Sequence, residues 1–412
     1  MQRKNIAIIN VDYEDASAGA LARRLFQHGN QIGHNMFVYY GRGDTVDQER
    51  IIKFESKLEV YLHKALSLVT GLQGFFSNFA TNRLLKNLAD NSIDTLIMIQ
   101  LHGYYLNEFR LFRYAKKHNI KIVYVTADEY AGLGKCCYSL ECRRYEDSCG
   151  KCPLVREYPK SLFFDWSHYI WKRKRESYDE LNISFIGPKT NIDKFKLSSL
   201  LKEKPLYIAD WGIDTDFYHY SIDDRIFERY GIPRNKIYIL TVAPYSLERK
   251  GVKKYFFEAA KKVNDEKYHF INVGYDGNPE MDPIPNNMTT IPFIKDQSEL
   301  ARIYSLSDLY VLASTQDTMP ISCLISFACE TPVCCFYTSG LRYLSDGRKD
   351  VVNYVYEISA NELASEIKKT DKKTMEVRKE CREYAIERYS SQIFNRKVFE
   401  LVDDENRDNR SK

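Results

Sequence analysis

Short β-branched apolar runs alternate with longer amphipathic stretches along most of this 412-residue chain. That alternation predicts an α/β fold, because parallel strands cannot be joined by a tight turn and need a crossover, usually a helix. In the first half the strand runs are Asn5–Val11, Asn35–Tyr40, Thr95–Gln100, Ile120–Thr126 and Ile183–Ile186, with helices expected near 18–29, 52–68, 78–90, 106–118 and 167–180. In the second half they are Ile237–Val242, His269–Val273, Leu309–Leu312 and Pro332–Phe336, with helices near 251–263, 297–305, 320–329 and 340–345. Single cores stop growing at roughly 250–300 residues, and each half has strands enough for its own doubly wound sheet. A joint falls between Pro205 and Tyr220, where Asp210-Trp211-Gly212-Ile213-Asp214 breaks any helical period. The expected domains are residues 1–212 and 213–385, then a helical stretch from 386 that packs back on the first domain and a disordered polar tail to Lys412.

Sixty basic residues against 56 acidic ones, and an apolar share of 44%, are ordinary for a globular protein and exclude collagen-like, low-complexity and disordered classes. A net charge of +4 is too small to point to nucleic acid, and no RNA-binding motif is present. The N-terminal apolar stretch Ile6–Val11 is too short for a signal-peptide core, and no run approaches the roughly 18 apolar residues of a membrane span. A cytoplasmic chain with reduced thiols is the simplest expectation.

Five segments could carry chemistry. The small-residue turn Asp15-Ala16-Ser17-Ala18-Gly19-Ala20 opens a helix, where free amides favour an anion; tight strand-to-helix packing explains Gly19 equally well. Glu248-Arg249-Lys250-Gly251 follows a predicted strand and precedes a helix, so the planar fork of Arg249 and the point charge of Lys250 are placed to hold a diphosphate. Thr315-Gln316-Asp317-Thr318-Met319-Pro320-Ile321-Ser322 opens another helix, whose amides near Met319 to Ser322 could take a phosphate while Asp317 accepts a sugar hydroxyl or merely caps the helix. Cys136, Cys142, Cys149 and Cys152 could close a tetrahedral zinc shell that braces the loop 134–153, or be packed or redox-paired thiols. The run Trp171-Lys172-Arg173-Lys174-Arg175 is either a solvated helix face or a contact for an anionic membrane.

These pieces resemble the retaining family-four glycosyltransferases of the GT-B fold, in particular the bacterial branch that builds capsule, exopolysaccharide and colanic acid. Leu101-His102-Gly103-Tyr104-Tyr105-Leu106-Asn107 is similar to that branch's segment after its fourth strand. Thr126-Ala127-Asp128, then Gly134 and the cysteine loop through Cys152-Pro153, resembles its "T-x-H-D … C-x-x-C-P" stretch. Trp211-Gly212-Ile213-Asp214 resembles "N-G-I-D", Arg249-Lys250-Gly251 resembles "R-K-G", and Leu306-Ser307-Asp308 through Pro332-Val333 resembles the donor block.

The resemblance implies two Rossmann-like domains facing across a cleft, with the donor held by the C-terminal domain and the acceptor by the N-terminal one. It implies transfer from a UDP-, GDP- or dTDP-sugar to a saccharide or lipid-linked saccharide, with retention, without a catalytic metal, and with peripheral contact to the cytoplasmic membrane face. Asp128, Lys250 and Asp317 would be catalytic; Gly19, Arg249, Lys250, Asp317, Met319, Pro320, Ile321 and Ser322 would bind donor. The family's second donor-block glutamate is Ile325 here, its usual histidine before Asp128 is Ala127, and Glu330 stands at a usual glycine. These departures support a second reading, a degenerate homologue that binds carbohydrate or stabilises a partner.

Overall fold

The computed structural model describes residues 3–13, 18–345, 347–348 and 350–404. The chain forms two compact units, one made of the residues up to Ala209 with those from Phe394 on, the other of Asp210–Ile393.

The first unit holds β1 (Asn5–Asn10), α1 (Ala18–Gln31), β2 (Asn35–Tyr40), β3 (Ile51–Lys53), α2 (Lys57–Thr70), α3 (Asn78–Asp90), β4 (Thr95–Met98), α4 (Glu108–Lys117), β5 (Lys121–Val125), α5 (Ser167–Asp179), β6 (Ile183–Gly187), α6 (Lys189–Phe195) and β7 (Leu206–Ile208). Its sheet runs β3-β2-β1-β4-β5-β6-β7, parallel throughout. Ile6 to Ile9 of β1 and Leu96 to Met98 of β4 are wholly buried, as a sheet covered on both faces requires.

The second unit holds α7 (Arg225–Tyr230), β8 (Ile237–Val242), α8 (Glu258–Lys262), β9 (Tyr268–Val273), β10 (Met288–Ile291), α9 (Gln297–Leu306), β11 (Leu309–Leu312), α10 (Ile321–Ala328), β12 (Val333–Phe336), β13 (Val352–Val355), α11 (Ala360–Ile367) and α12 (Met375–Tyr389). Its sheet runs β10-β9-β8-β11-β12-β13, again all parallel. The last helix, α13 (Ser391–Asp403), packs with the first unit from Phe394 on: the Phe399 ring stacks on His34 at 5.7 Å, and Lys4 Nζ donates to the carbonyl of Val402 at 2.7 Å.

In both sheets the strand order reverses once, between β1 and β4 and between β8 and β11. Loops leaving the C-terminal ends of such a pair diverge to opposite faces and leave a crevice, which is where open α/β sheets bind ligands.

Several expectations need correction. Residues 51–53 are strand, so the helix expected from 52 starts only at Lys57, where Ser56 and Glu59 form its capping box. The stretch 251–263 opens with a wide π-type turn at Val252–Phe257 before α8, and 340–345 lies in a tight 3₁₀ turn at Ser339–Tyr343. The turn residues Asp15 to Ser17 and the tail from residue 405 lie outside the described residues.

Within the basic run, Trp171 and Lys174 point inward. Lys174 Nζ donates to the carbonyls of Tyr130 (2.7 Å) and Leu133 (3.1 Å) and sits 3.3 Å from the centre of the Tyr130 ring. Burial lowers this ammonium's pKa and raises that of the buried Glu108 carboxyl, and the attraction between the two groups offsets part of each effect. Lys174 therefore fixes the turn that launches the cysteine loop. Lys174→Met is expected to cost at least about 2 kcal/mol, by leaving two buried carbonyls and Glu108 without their cation, read as a lower melting temperature; an unchanged melt would show that the ammonium does not hold the turn.

Candidate functional site

The second unit brings the two predicted donor segments together at the β8/β11 reversal. Arg249, Lys250 and Gly251 lie on the connection after β8, and Ala313 to Asp317 follow β11. The carbonyl of Arg249 accepts from the Thr315 amide (3.0 Å) and the Ser314 hydroxyl (3.0 Å), which ties the two loops. Gly251 has φ +66°, and a Cβ there would overlap the carbonyl oxygen of Ala313, so no other residue lets the loops approach this closely.

Lys250 Nζ lies 2.9 Å from Asp317 Oδ2, and an Arg249 guanidinium nitrogen lies 3.4 Å from Oδ1. The Asp317 carboxylate is thus engaged by two cations, and the helix that follows it, α10, has Pro320 at its N-cap and no side-chain cap. Asp317 is held for charge, not for capping. The first amides of α10, at Ile321 and Ser322, start beside this cluster and supply the partial positive charge of a helix N-terminus. The side chains of Met319, Ile321 and Ile325 pack in or against the hydrophobic core, so Met319 and Ile321 can offer a ligand only backbone, and Ile325 presents no polar group.

Sequence reasoning missed a further polar pair, between the loops after β8 and β9. Ser246, after β8, donates from its amide (2.8 Å) and hydroxyl (2.5 Å) to Asp276, after β9.

At the β1/β4 reversal of the first unit, Val11, Asp12, Arg42, Gln100, His102 and Tyr158 line a cavity of about 390 Å³. Beside it is Asp128, whose Oδ2 stands 2.5 Å from His102 Nε2, while His102 Nδ1 is 3.1 Å from the Tyr158 hydroxyl. Burial alone would raise the Asp128 carboxyl, but the His102 imidazole and the Tyr130 amide bring it below its ordinary value. His102 was not picked out as a site residue, because 26 residues separate it from Asp128 and only the sheet order joins them. It supplies an imidazole beside Asp128 although position 127 is alanine. At Gly19, a Cβ would stand 2.6 Å from Asp12 Oδ1 and 2.7 Å from the Tyr13 carbonyl carbon, so close packing of α1 on the end of β1 accounts for that glycine.

Cys136, Cys142, Cys149 and Cys152 all line one small cavity of about 20 Å³, the size of a single ion or water. An interaction with Cys136 lowers the Cys152 thiol to about 7, and the same interaction, with burial, pushes Cys136 up. Such a donor set suits a thiolate-bound ion. Among the described residues the donor atoms that already stand within 4.8 Å of one another belong to another trio, His102, Asp128 and Cys137. Within the 171–175 run, Arg173 pairs with Glu176 (2.9 Å) and Arg175 faces Asp179 (3.9 Å), while Lys172 is exposed.

Two buried parallel sheets of this order, each with its polar residues gathered at the strand reversal, define the GT-B fold. Among solved structures, sucrose-phosphate synthase from Thermosynechococcus elongatus matches with a TM-score of 0.68 at 12% identity, covering 97% of this chain and 98% of that one. Anabaena HepE in complex with UDP-glucose matches with a TM-score of 0.62 at 12% identity, covering 97% and 99%. Residues 236–370, which contain Arg249 to Ser322, match the family described as Glycosyl transferases group 1. A putative colanic acid biosynthesis glycosyl transferase of Escherichia coli K12, WcaC, is 27% identical over 227 residues, 51% of this chain and 55% of that protein. The match thus spans about half of either protein. Among the described residues no helix is long and apolar enough to cross a membrane.

Proposed function

We propose that the chain is a retaining glycosyltransferase that moves a sugar from a nucleotide-sugar donor to a saccharide or lipid-linked saccharide acceptor in surface polysaccharide synthesis. The observation that carries this is the convergence of Arg249, Lys250, Asp317 and the start of α10 at one strand reversal, inside the segment that matches the family. The UDP-glucose complex of HepE supports a UDP-sugar among the donors, and the likeness to WcaC supports the polysaccharide setting.

The bond from the sugar's anomeric carbon to the diphosphate breaks, and negative charge gathers on the leaving group. Arg249, Lys250 and the amides at Ile321 and Ser322 are fixed before the reaction and meet that charge without reorganising. The acceptor hydroxyl oxygen bonds to the anomeric carbon on the face the diphosphate leaves, and its proton passes to the departing phosphate. Asp317, held by the two cations, accepts a hydroxyl of the transferred sugar. Asp128, kept ionised beside His102, accepts a sugar hydroxyl in the first unit. In the same reading Cys136, Cys142, Cys149 and Cys152 would hold a structural zinc ion that would brace the 134–153 loop.

A degenerate homologue is the second reading, favoured by the placement of Ile325 in the core, where its side chain offers a ribose hydroxyl no acceptor.

Lys250→Ala is expected to lower donor-dependent transfer by about 10²–10³-fold, with the melting temperature of the free protein nearly unchanged and the rise on adding donor lost. A wild-type protein whose melting temperature responds to none of a UDP-, GDP- and dTDP-sugar panel, at concentrations far above ordinary affinities, would establish the degenerate reading. Metal analysis should find close to one zinc per chain, lost in Cys149→Ser; less than about a tenth of an equivalent in the wild type rules the ion out.

A further inference from the structure

The helix α2 is inside out. Its buried residues are polar, His63 and Ser67, while Leu58 (68% exposed), Tyr61 (68%), Leu62 (54%), Leu66 and Val69 face solvent. At 3.6 residues per turn these five side chains share one face, an arc of roughly 140°. A helix of a water-soluble surface shows the opposite pattern. The inversion is built in: His63 Nδ1 stands 2.7 Å from the Ser77 hydroxyl, which donates to Glu55 at 2.5 Å. Burial lowers the pKa of His63 to about 3, which keeps the ring neutral inside the protein. The polar face is therefore anchored, and rotating the helix to hide its leucines would break that chain of hydrogen bonds.

The apolar face continues onto a second element. The Leu162 amide donates to the carbonyl of Leu68 (2.8 Å), and Gly71 at the end of α2 lies against Ser161 and the Phe164 carbonyl. From that junction Phe163 (71% exposed), Phe164, Trp166 and Tyr169 project outward.

Charge accompanies this face on one flank. A cavity of about 760 Å³ beside α2 is lined by Arg42, Lys53, Lys57, Lys64 and Lys160 against the single carboxylate of Asp44. Leucines and aromatics on one side with lysines along their edge is the pattern of a helix that lies in the plane of a membrane interface, its apolar face in the acyl boundary and its cations among anionic headgroups.

We infer that α2 and the 161–169 segment form a docking face for an anionic phospholipid bilayer. This goes beyond sugar transfer and holds whether or not the chain transfers sugar. It places membrane contact at α2 and the 161–169 segment, where apolar side chains and cations adjoin, and not at residues 171–175, where Trp171 and Lys174 are buried and Arg173 and Arg175 face carboxylates of their own helix.

The test is co-sedimentation of the full chain, without substrate, with vesicles of phosphatidylglycerol and phosphatidylethanolamine in equal parts, against vesicles of phosphatidylcholine alone. Binding to the anionic vesicles is expected, with a blue shift of tryptophan emission that Trp166→Phe diminishes. Leu62→Gln with Leu66→Gln should abolish binding, and because both residues are exposed the melting temperature should hold. Lys57→Gln with Lys64→Gln should weaken it by about 25-fold, roughly fivefold per charge. Equal binding to both vesicle types, or to neither, overturns the inference. So does a dimer of the wild type that the leucine variant dissolves while no vesicle is bound, since the face would then belong to a second copy of the chain. Should the leucine variant unfold, Phe163→Ser with Trp166→Ser reads the same face from outside the helix.

Discussion

A parallel sheet covered by helices on both faces leaves chemistry only one place to occur, the loops at the C-terminal ends of its strands. Both units obey that constraint. The interiors of β1, β4, β8 and β11 are closed to solvent, and the polar residues that could act on a ligand are displaced to where the strand order turns back. Asp12, Gln100 and His102 stand at one reversal, Arg249, Lys250 and Asp317 at the other. The proposed sugar transfer depends on those two reversals.

The second crevice illustrates how the fold prepares charge. Gly251 lets its loop touch the backbone at Ala313, and the Arg249 carbonyl then binds the loop that carries Asp317. With Lys250 and Asp317 both largely shielded, their ion pair fixes the ammonium before any ligand arrives. Two cations on one carboxylate leave a net positive charge beside the amides of α10, a suitable counter-field for a leaving diphosphate. The first crevice carries the opposite balance, Asp12 and Asp128 against Arg42: a carboxylate held down by an imidazole and a backbone amide suits a hydroxyl better than a phosphate.

The central strands were legible in the sequence because burial on both faces makes them continuous apolar runs. All four strands that sequence reading missed, β3, β7, β10 and β13, are sheet edges of three or four residues with at least two of them only partly buried or exposed, so neither a run nor an alternation marks them. Arg249, Lys250 and Asp317 were legible because each sits just past a strong strand. The His102–Asp128 contact was not, since it depends on β4 lying next to β5. The basic run at 171–175 was legible only in part for a related reason: composition cannot tell that Lys174 turns inward to two carbonyls while Lys172 and Arg175 stay outside. Nor does the periodicity of α2 say which of its faces the protein covers; only the buried His63 and Ser67 reveal that its leucines are outside.

The account's central claim is that a nucleotide sugar binds through the loops after β8 and β11. Hydrogen–deuterium exchange of the full chain with and without UDP-glucose tests it most directly. The account predicts slowed exchange over residues 246–251 and 314–323, where backbone amides border Lys250 and Asp317 and open α10. Binding that leaves both segments unchanged, with protection confined to other parts of the chain, would contradict it.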